Sequence, residues 1–233
     1  MIIEPVTRIN AELDYIEGCL LLVNKPIGWT SFDVVKKIRS FIKKTCNLKK
    51  VKVGHAGTLD PLAEGLLIVC TGKLTKRISE IQKLKKIYLG EMKLGASTPS
   101  YDRETGENQT YPISHISPEI IRNNVDNFLG TIYQKPPMFS AIKKNGVRLY
   151  KLARKNINLK IDPRQIQIHN FHITNIKIPN VMFEVECSAG TYIRTLVHDF
   201  GKKINSGSYL ISLKRTQIGD YKLSNSLKMK DFL

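Results

Sequence analysis

The sequence predicts an α+β fold: a mixed, largely antiparallel central sheet flanked by helices. Three observations carry that reading. Short apolar runs bounded by Gly or Pro recur and read as buried strands. Apolar residues at helical spacing follow several of them. Strands and helices succeed one another without strict βαβ alternation.

Taken in order, Cys19–Asn24 is an apolar run ended by Lys25-Pro26-Ile27-Gly28-Trp29. Thr30 or Ser31 can cap a helix with Val34, Val35, Ile38, Phe41 and Ile42 on one face. Leu66–Cys70 reads as a buried strand, and Leu74, Ile78, Ile81 and Leu84 as an amphipathic helix. Ile87–Leu94 alternates as a strand, with Tyr88, Met92 and Leu94 on one face. Residues 95–111 are polar and turn-rich. Ser117-Pro118-Glu119 starts a helix that Gly130 would end, and Pro136-Pro137 marks a loop. A short helix is expected over Arg148–Lys155, then one or two strands through Ile166, Ile168, Phe171 and Ile173. Val181–Cys187 alternates cleanly. A helix begins near Thr191 with Ile193, Leu196, Val197, Phe200 and Ile204 inward, and Tyr209–Leu213 and Gly219–Leu223 are the last strands.

Composition narrows the function. The chain has 233 residues, 42% of them hydrophobic, enough for a sizeable core. Its longest apolar runs fall far short of the ~18 residues of a membrane span. Met1-Ile2-Ile3-Glu4-Pro5 does not begin a secretory signal. Cys19, Cys46, Cys70 and Cys187 are widely spaced, against both a zinc site and a disulfide framework, and the cytoplasm is the expected compartment. Lys and Arg number 37 against 20 Asp and Glu, a net charge of +17, so a polyanion, first of all a nucleic acid, is the expected partner. The chain is also rich in Ile, Lys and Asn, and drift toward Lys raises charge without function.

The most informative stretch is Gly54-His55-Ala56-Gly57-Thr58-Leu59-Asp60-Pro61-Leu62-Ala63-Glu64-Gly65-Leu66-Leu67. It sets one carboxylate on a glycine-punctuated loop that enters a buried strand. Asp-Pro also simply shapes turns, so Asp60 alone leaves both readings open. Three more segments bear on the choice: Lys25-Pro26-Ile27-Gly28-Trp29-Thr30-Ser31, Lys85-Lys86-Ile87-Tyr88, and Gly190-Thr191-Tyr192-Ile193-Arg194-Thr195-Leu196. In order, with the late Leu213-Lys214-Arg215-Thr216, they match N-K-P-x-G-x-T-S, G-H-x-G-x-L-D-P-x-A-x-G-x-L, K-x-x-Y and G-T-Y-I-R-T-L. The chain thereby closely resembles the pseudouridine synthases of the TruB family, bacterial enzymes that isomerise uridine in the T-loop of tRNA.

The resemblance covers roughly residues 18–225, the expected catalytic domain, with 1–17 as an N-terminal extension and 226–233 as a short tail. Many family members continue into an RNA-binding PUA domain; the sequence ends at Leu233, so that domain is expected to be absent. The reaction breaks the N1–C1′ bond, turns the base and rejoins it through C5. It is redox-neutral, and the sequence carries no P-loop, dinucleotide fingerprint or metal cluster, so no cofactor and no metal are expected.

By resemblance Asp60 stabilises or traps the sugar as an ionised carboxylate, Arg194 pairs with it and orients it, and Tyr88 stacks on uracil or moves a proton. His55 fills space left by displaced bases. Leu213 walls the uracil pocket, and Lys25 and Lys76 engage phosphates. Tyr192 packs or hydrogen-bonds beside the catalytic pair, while Asp102 either touches the substrate loop or holds a turn. The implied partner is the tRNA T-stem-loop, bound by a monomer with no guide RNA and no membrane. Other readings are an RNA chaperone for the tRNA elbow, a guide-dependent rRNA modifier, and a ribosome-associated protein with a decayed site.

Overall fold

The computed structural model describes residues 3–144, 146–155, 157 and 159–232. Its strands are β1 (Leu20–Lys25), β2 (Val53–His55), β3 (Glu64–Thr71), β4 (Lys86–Leu94), β5 (Ala96–Ser97), β6 (Gln109–Thr110), β7 (Gly130–Gln134), β8 (Lys143–Lys144), β9 (Val147–Arg148), β10 (Arg164–Lys177), β11 (Asn180–Cys187), β12 (Ser208–Ile218), β13 (Tyr221–Lys222) and β14 (Leu227–Lys228). The helices are α1 (Ser31–Thr45), α2 (Ile78–Gln82), α3 (Pro118–Asn123), α4 (Leu149–Ala153) and α5 (Ile193–Lys203). Mixed, largely antiparallel sheet with flanking helices is the α+β architecture expected from the sequence. The chain divides into two compact units, Met1–Tyr88 with Leu213–Leu233, and Leu89–Ser212. Among the described residues no helix is long and apolar enough to cross a membrane.

In the first unit, β1 pairs antiparallel with β3, from Leu20 opposite Cys70 to Lys25 opposite Gly65. β14 joins β1 in parallel, β12 joins β3 in parallel, and β2 folds back on β3. Leu20–Val23 of β1 and Leu66–Cys70 of β3 are apolar without alternation because both faces are covered. Leu21, Val23, Leu67 and Val69 meet Val34, Val35, Ile38 and Ile42 of α1. Leu20, Leu22, Leu66, Ile68 and Cys70 meet Ile81, Ile218 and Tyr221.

α1 starts where expected. The Thr30 side chain accepts from the Asp33 backbone N–H, and the Asp33 carboxylate accepts from the Thr30 N–H, a reciprocal cap. The segment from 72 differs from the expected amphipathic helix: a 3₁₀ turn over Gly72–Arg77 precedes the short α2. Ile78 and Ile81 fall in α2, and Leu74 lies in the 3₁₀ turn before it.

Within the described residues, the segments set apart as extension and tail are integral to this unit. Val6 bridges to Leu21, Tyr15 is buried, and Phe232 packs edge-on to Phe41 with ring centroids 5.7 Å apart.

The second unit orders its sheet β4-β11-β10-β7. Phe128, Phe171, Phe183 and Phe200 form its aromatic centre, with α5 contributing Phe200. α3 ends at Asn123, so Gly130 opens strand β7 rather than closing a helix. The one-or-two-strand expectation resolves to one long β10 carrying two bulges. The expected strand ending at Leu213 continues instead to Ile218, as β12.

Candidate active site

The Asp60 loop joins β2 to β3 in the first unit, and it is tied down on both flanks of the carboxylate. Before it, the Leu59 N–H donates to Ser31 Oγ at 2.9 Å, and that hydroxyl donates to the Leu59 carbonyl at 3.1 Å. After it, the Gly28 N–H donates to the Pro61 carbonyl at 2.7 Å. The Lys25-Pro-Ile-Gly loop and the start of α1 therefore act as the clamp for the Asp60 loop. Asp60 itself stays half-buried.

Two buried cations complete the clamp. Lys25 has 0% relative exposure. Its ammonium donates to the carbonyls of Pro26 at 2.9 Å, Trp29 at 2.7 Å and Pro61 at 3.5 Å. The expected phosphate contact by Lys25 is thus corrected: a fully buried ammonium bonded to three carbonyls has no surface to offer RNA. Burial pulls its pKa down to about 8, opposed by Asp60 and assisted by Arg215.

Arg215, 1% exposed, donates from Nη2 to the Gly57 carbonyl at 3.1 Å, from Nη1 to Thr58 at 3.4 Å and from Nε to Leu66 at 2.8 Å. Its guanidinium carbon lies 6.0 Å from the Tyr88 ring centroid. His55, half-buried at the end of β2, is held below its usual pKa first by burial, then by Arg215.

Tyr88 and Leu213 are buried and Lys76 is exposed. Sequence reasoning assigned Leu213 a role and passed over Arg215, two residues on. Strand alternation puts residues i and i+2 on one face, which was the available signal.

In the second unit, Arg194 lies in the first turn of α5. Its Nε is 3.6 Å from Asp102 Oδ2, Nη1 donates to the Ser100 carbonyl at 3.2 Å, and Nη2 to Phe139 at 2.9 Å. Asp102 is buried inside a tight turn: Oδ1 accepts from the Glu104 N–H at 2.9 Å, and its carbonyl accepts from Thr98 Oγ1 at 2.7 Å. Of its two expected roles, the turn is the one seen.

Tyr192 precedes α5 and is half-buried. Its N–H donates to Gln134 Oε1 at 2.7 Å, and its carbonyl accepts from Gln134 Nε2 at 3.1 Å. Gln134, which the sequence did not single out, thereby docks the start of α5 on the edge strand β7. One turn beyond Arg194, His198 stacks on Tyr101 with centroids 3.8 Å apart and planes at 13°. Among the described residues no group of three or more His, Cys, Asp or Glu side chains is placed to hold a metal.

Residues 43–193 match the model of the TruB family pseudouridylate synthase, N terminal domain. The tRNA pseudouridine synthase B of Flavobacterium johnsoniae is 53% identical over 220 residues, covering 94% of this chain and 96% of that protein. The one from Phocaeicola vulgatus is 45% identical over 220 residues, covering 94% of each. Among solved structures, one titled as a crystal structure of a Cbf5-Nop10-Gar1 complex is similar, with a TM-score of 0.69 and 27% identity. It matches 95% of this chain, which spans only 55% of the matched chain. Long, continuous identity to these enzymes and a family match across both units give one answer: the chain belongs to the TruB family of pseudouridylate synthases and is an isomerase.

Proposed function

We propose that this protein converts uridine 55 in the T-loop of tRNA to pseudouridine, with Asp60 as nucleophile or stabiliser toward a flipped-out nucleotide. One observation carries the reading: the neighbours of Asp60 on either side are both hydrogen-bonded, Leu59 to Ser31 at the start of α1 and Pro61 to Gly28, while Asp60 keeps access to solvent. A carboxylate that must meet C1′ of a displaced nucleotide gains from such preorganisation. A turn former has no need of it. The names of the relatives, tRNA pseudouridine synthase B, support tRNA as the substrate.

The base leaves C1′ at N1, turns and bonds through C5, whose proton is then lost while N1 gains one. Asp60 stabilises the sugar while it lacks its base. Tyr88 stacks on the uracil and serves proton transfer, and Leu213 walls the pocket. Arg194 orients polar groups of the site, its guanidinium fixed by Asp102 and two carbonyls. His55 occupies space vacated by bases, at a cost of about a few kcal/mol of unstacking that binding must offset. Lys76 meets phosphate. The enzyme works in the cytoplasm as a monomer, without guide RNA.

The test is incubation of purified protein with an unmodified tRNA transcript, followed by mapping of pseudouridine. Product at position 55 is expected without added factors. Asp60→Asn should abolish it while retaining tRNA binding. An unmodified T-loop, or full turnover by Asp60→Asn, would overturn the proposal.

A further inference from the structure

We infer that Arg215 is the positioning residue of the Asp60 loop, acting on the reaction through that loop and the Tyr88 ring. The inference rests on Asp60 being the catalytic carboxylate.

Three carbonyls fix the guanidinium, and they lie on both sides of Asp60 in sequence: Gly57 and Thr58 before it, Leu66 after it. A planar fork can reach the two ends of one loop at once; a compact ammonium cannot. The backbone is shaped around the same residue. Arg215 is in register with Gly65, and a Cβ on Gly65 would lie 2.4 Å from the Arg215 carbonyl oxygen. Gly65 also has φ +108, so two constraints demand glycine there. Gly57, with φ +110, would carry a Cβ 3.8 Å from Arg215 Nη1. Gly65 is thus shaped by the backbone of residue 215, whereas Gly54 is set by Ile78, whose Cδ1 a Cβ there would meet at 2.8 Å.

The three carbonyls accept hydrogen bonds from the guanidinium without neutralising it. A full positive charge remains beside the loop, near the Tyr88 ring, and after burial, the larger cause, it helps to lower the pKa of both His55 and Lys25.

The test compares Arg215→Lys with wild type in single-turnover pseudouridine formation, tRNA binding and urea unfolding. Loss of the fork should cut the rate about 100-fold, the scale of a small misplacement of a reacting group. tRNA affinity should change less than about 3-fold, because Arg215 is buried away from RNA. A purely structural arginine would lower the unfolding midpoint and leave the rate of the folded fraction intact. A folded Arg215→Lys enzyme with a rate within about 3-fold of wild type overturns the inference.

Should Arg215→Lys fail to fold, Gly57→Ala keeps the arginine and displaces the carbonyl it holds. Rate loss at unchanged tRNA affinity supports the inference, and a wild-type rate overturns it. Asp60→Asn is run alongside. If it turns over, the reading of Asp60 has failed. If it is dead while Arg215→Lys is normal, only the role of Arg215 has failed.

Discussion

Asp102 and Arg194 form a buried ion pair, 3.6 Å from Oδ2 to Nε, with side chains 8% and 4% exposed. The carboxylate is held by its own turn and the guanidinium by two carbonyls, so neither partner can follow if the other is removed. Removing one partner of a buried pair takes away an attraction that water cannot replace there. Asp102→Asn should therefore destabilise the protein by about 3 kcal/mol, at the lower end of such losses because Arg194 keeps its carbonyls. Urea unfolding measures this. A change under about 0.5 kcal/mol would mean that the pair does not hold the turn.

The two lysines first read as phosphate contacts should separate in a salt titration. Lys76 is exposed, and Lys76→Ala should lower the slope of log affinity against log salt by about 1. Lys25→Met should leave that slope unchanged and reduce stability, since three carbonyls lose their donor. A reduced slope in Lys25→Met would show that the ammonium does reach RNA.

Tyr88→Phe keeps the buried ring and the Arg215 guanidinium over it while removing the hydroxyl. If that hydroxyl moves a proton, turnover should fall by roughly 10²–10⁴, with little change in tRNA affinity. Near-normal turnover would leave Tyr88 only its stacking role.

Low pH should weaken the second unit through His198. Burial, and secondarily Lys202, hold its pKa down at about 4, below the value of roughly 6.5 in an unfolded chain. Between those values the unfolded state binds the extra proton. Stability conferred by the neutral, stacked imidazole is therefore complete above about pH 6.5 and is lost as pH falls toward 4, a few kcal/mol in all. Asp199, whose pKa is raised by burial, works the other way at the acid end of that window. His198→Gln should flatten the decline of unfolding free energy between pH 7 and pH 4. An unchanged slope would refute the assignment.

Much of the fold was readable because burial writes itself into periodicity. β1, β3, α1, β11 and α5 lie close to where their apolar spacing put them. β7 was missed because its residues are mostly exposed, so no alternation marked it. α2 is shorter than expected because the part of its apolar pattern at Leu74 lies in a 3₁₀ turn, and a few apolar positions do not distinguish the two windings.

At the site, Asp60, Tyr88 and Arg194 stood out as motif residues, but motifs name residues without naming their partners. Lys25 shows the consequence. A lysine beside a glycine loop in a basic chain looks like a phosphate contact, and only coordinates show that three carbonyls enclose it.

The sequence by itself determined the strand and helix types, the glycine-framed Asp60 loop and the family resemblance. Each depends on short-range spacing or on local backbone freedom. The tertiary structure alone decided which groups the buried charges meet: backbone carbonyls for Lys25 and Arg215 within the first unit, Asp102 and two carbonyls for Arg194 in the second. Arg215 reaches carbonyls 149 to 158 positions away in sequence. A hydrogen bond across that separation leaves no periodic trace, because nothing in the intervening chain must repeat to make it.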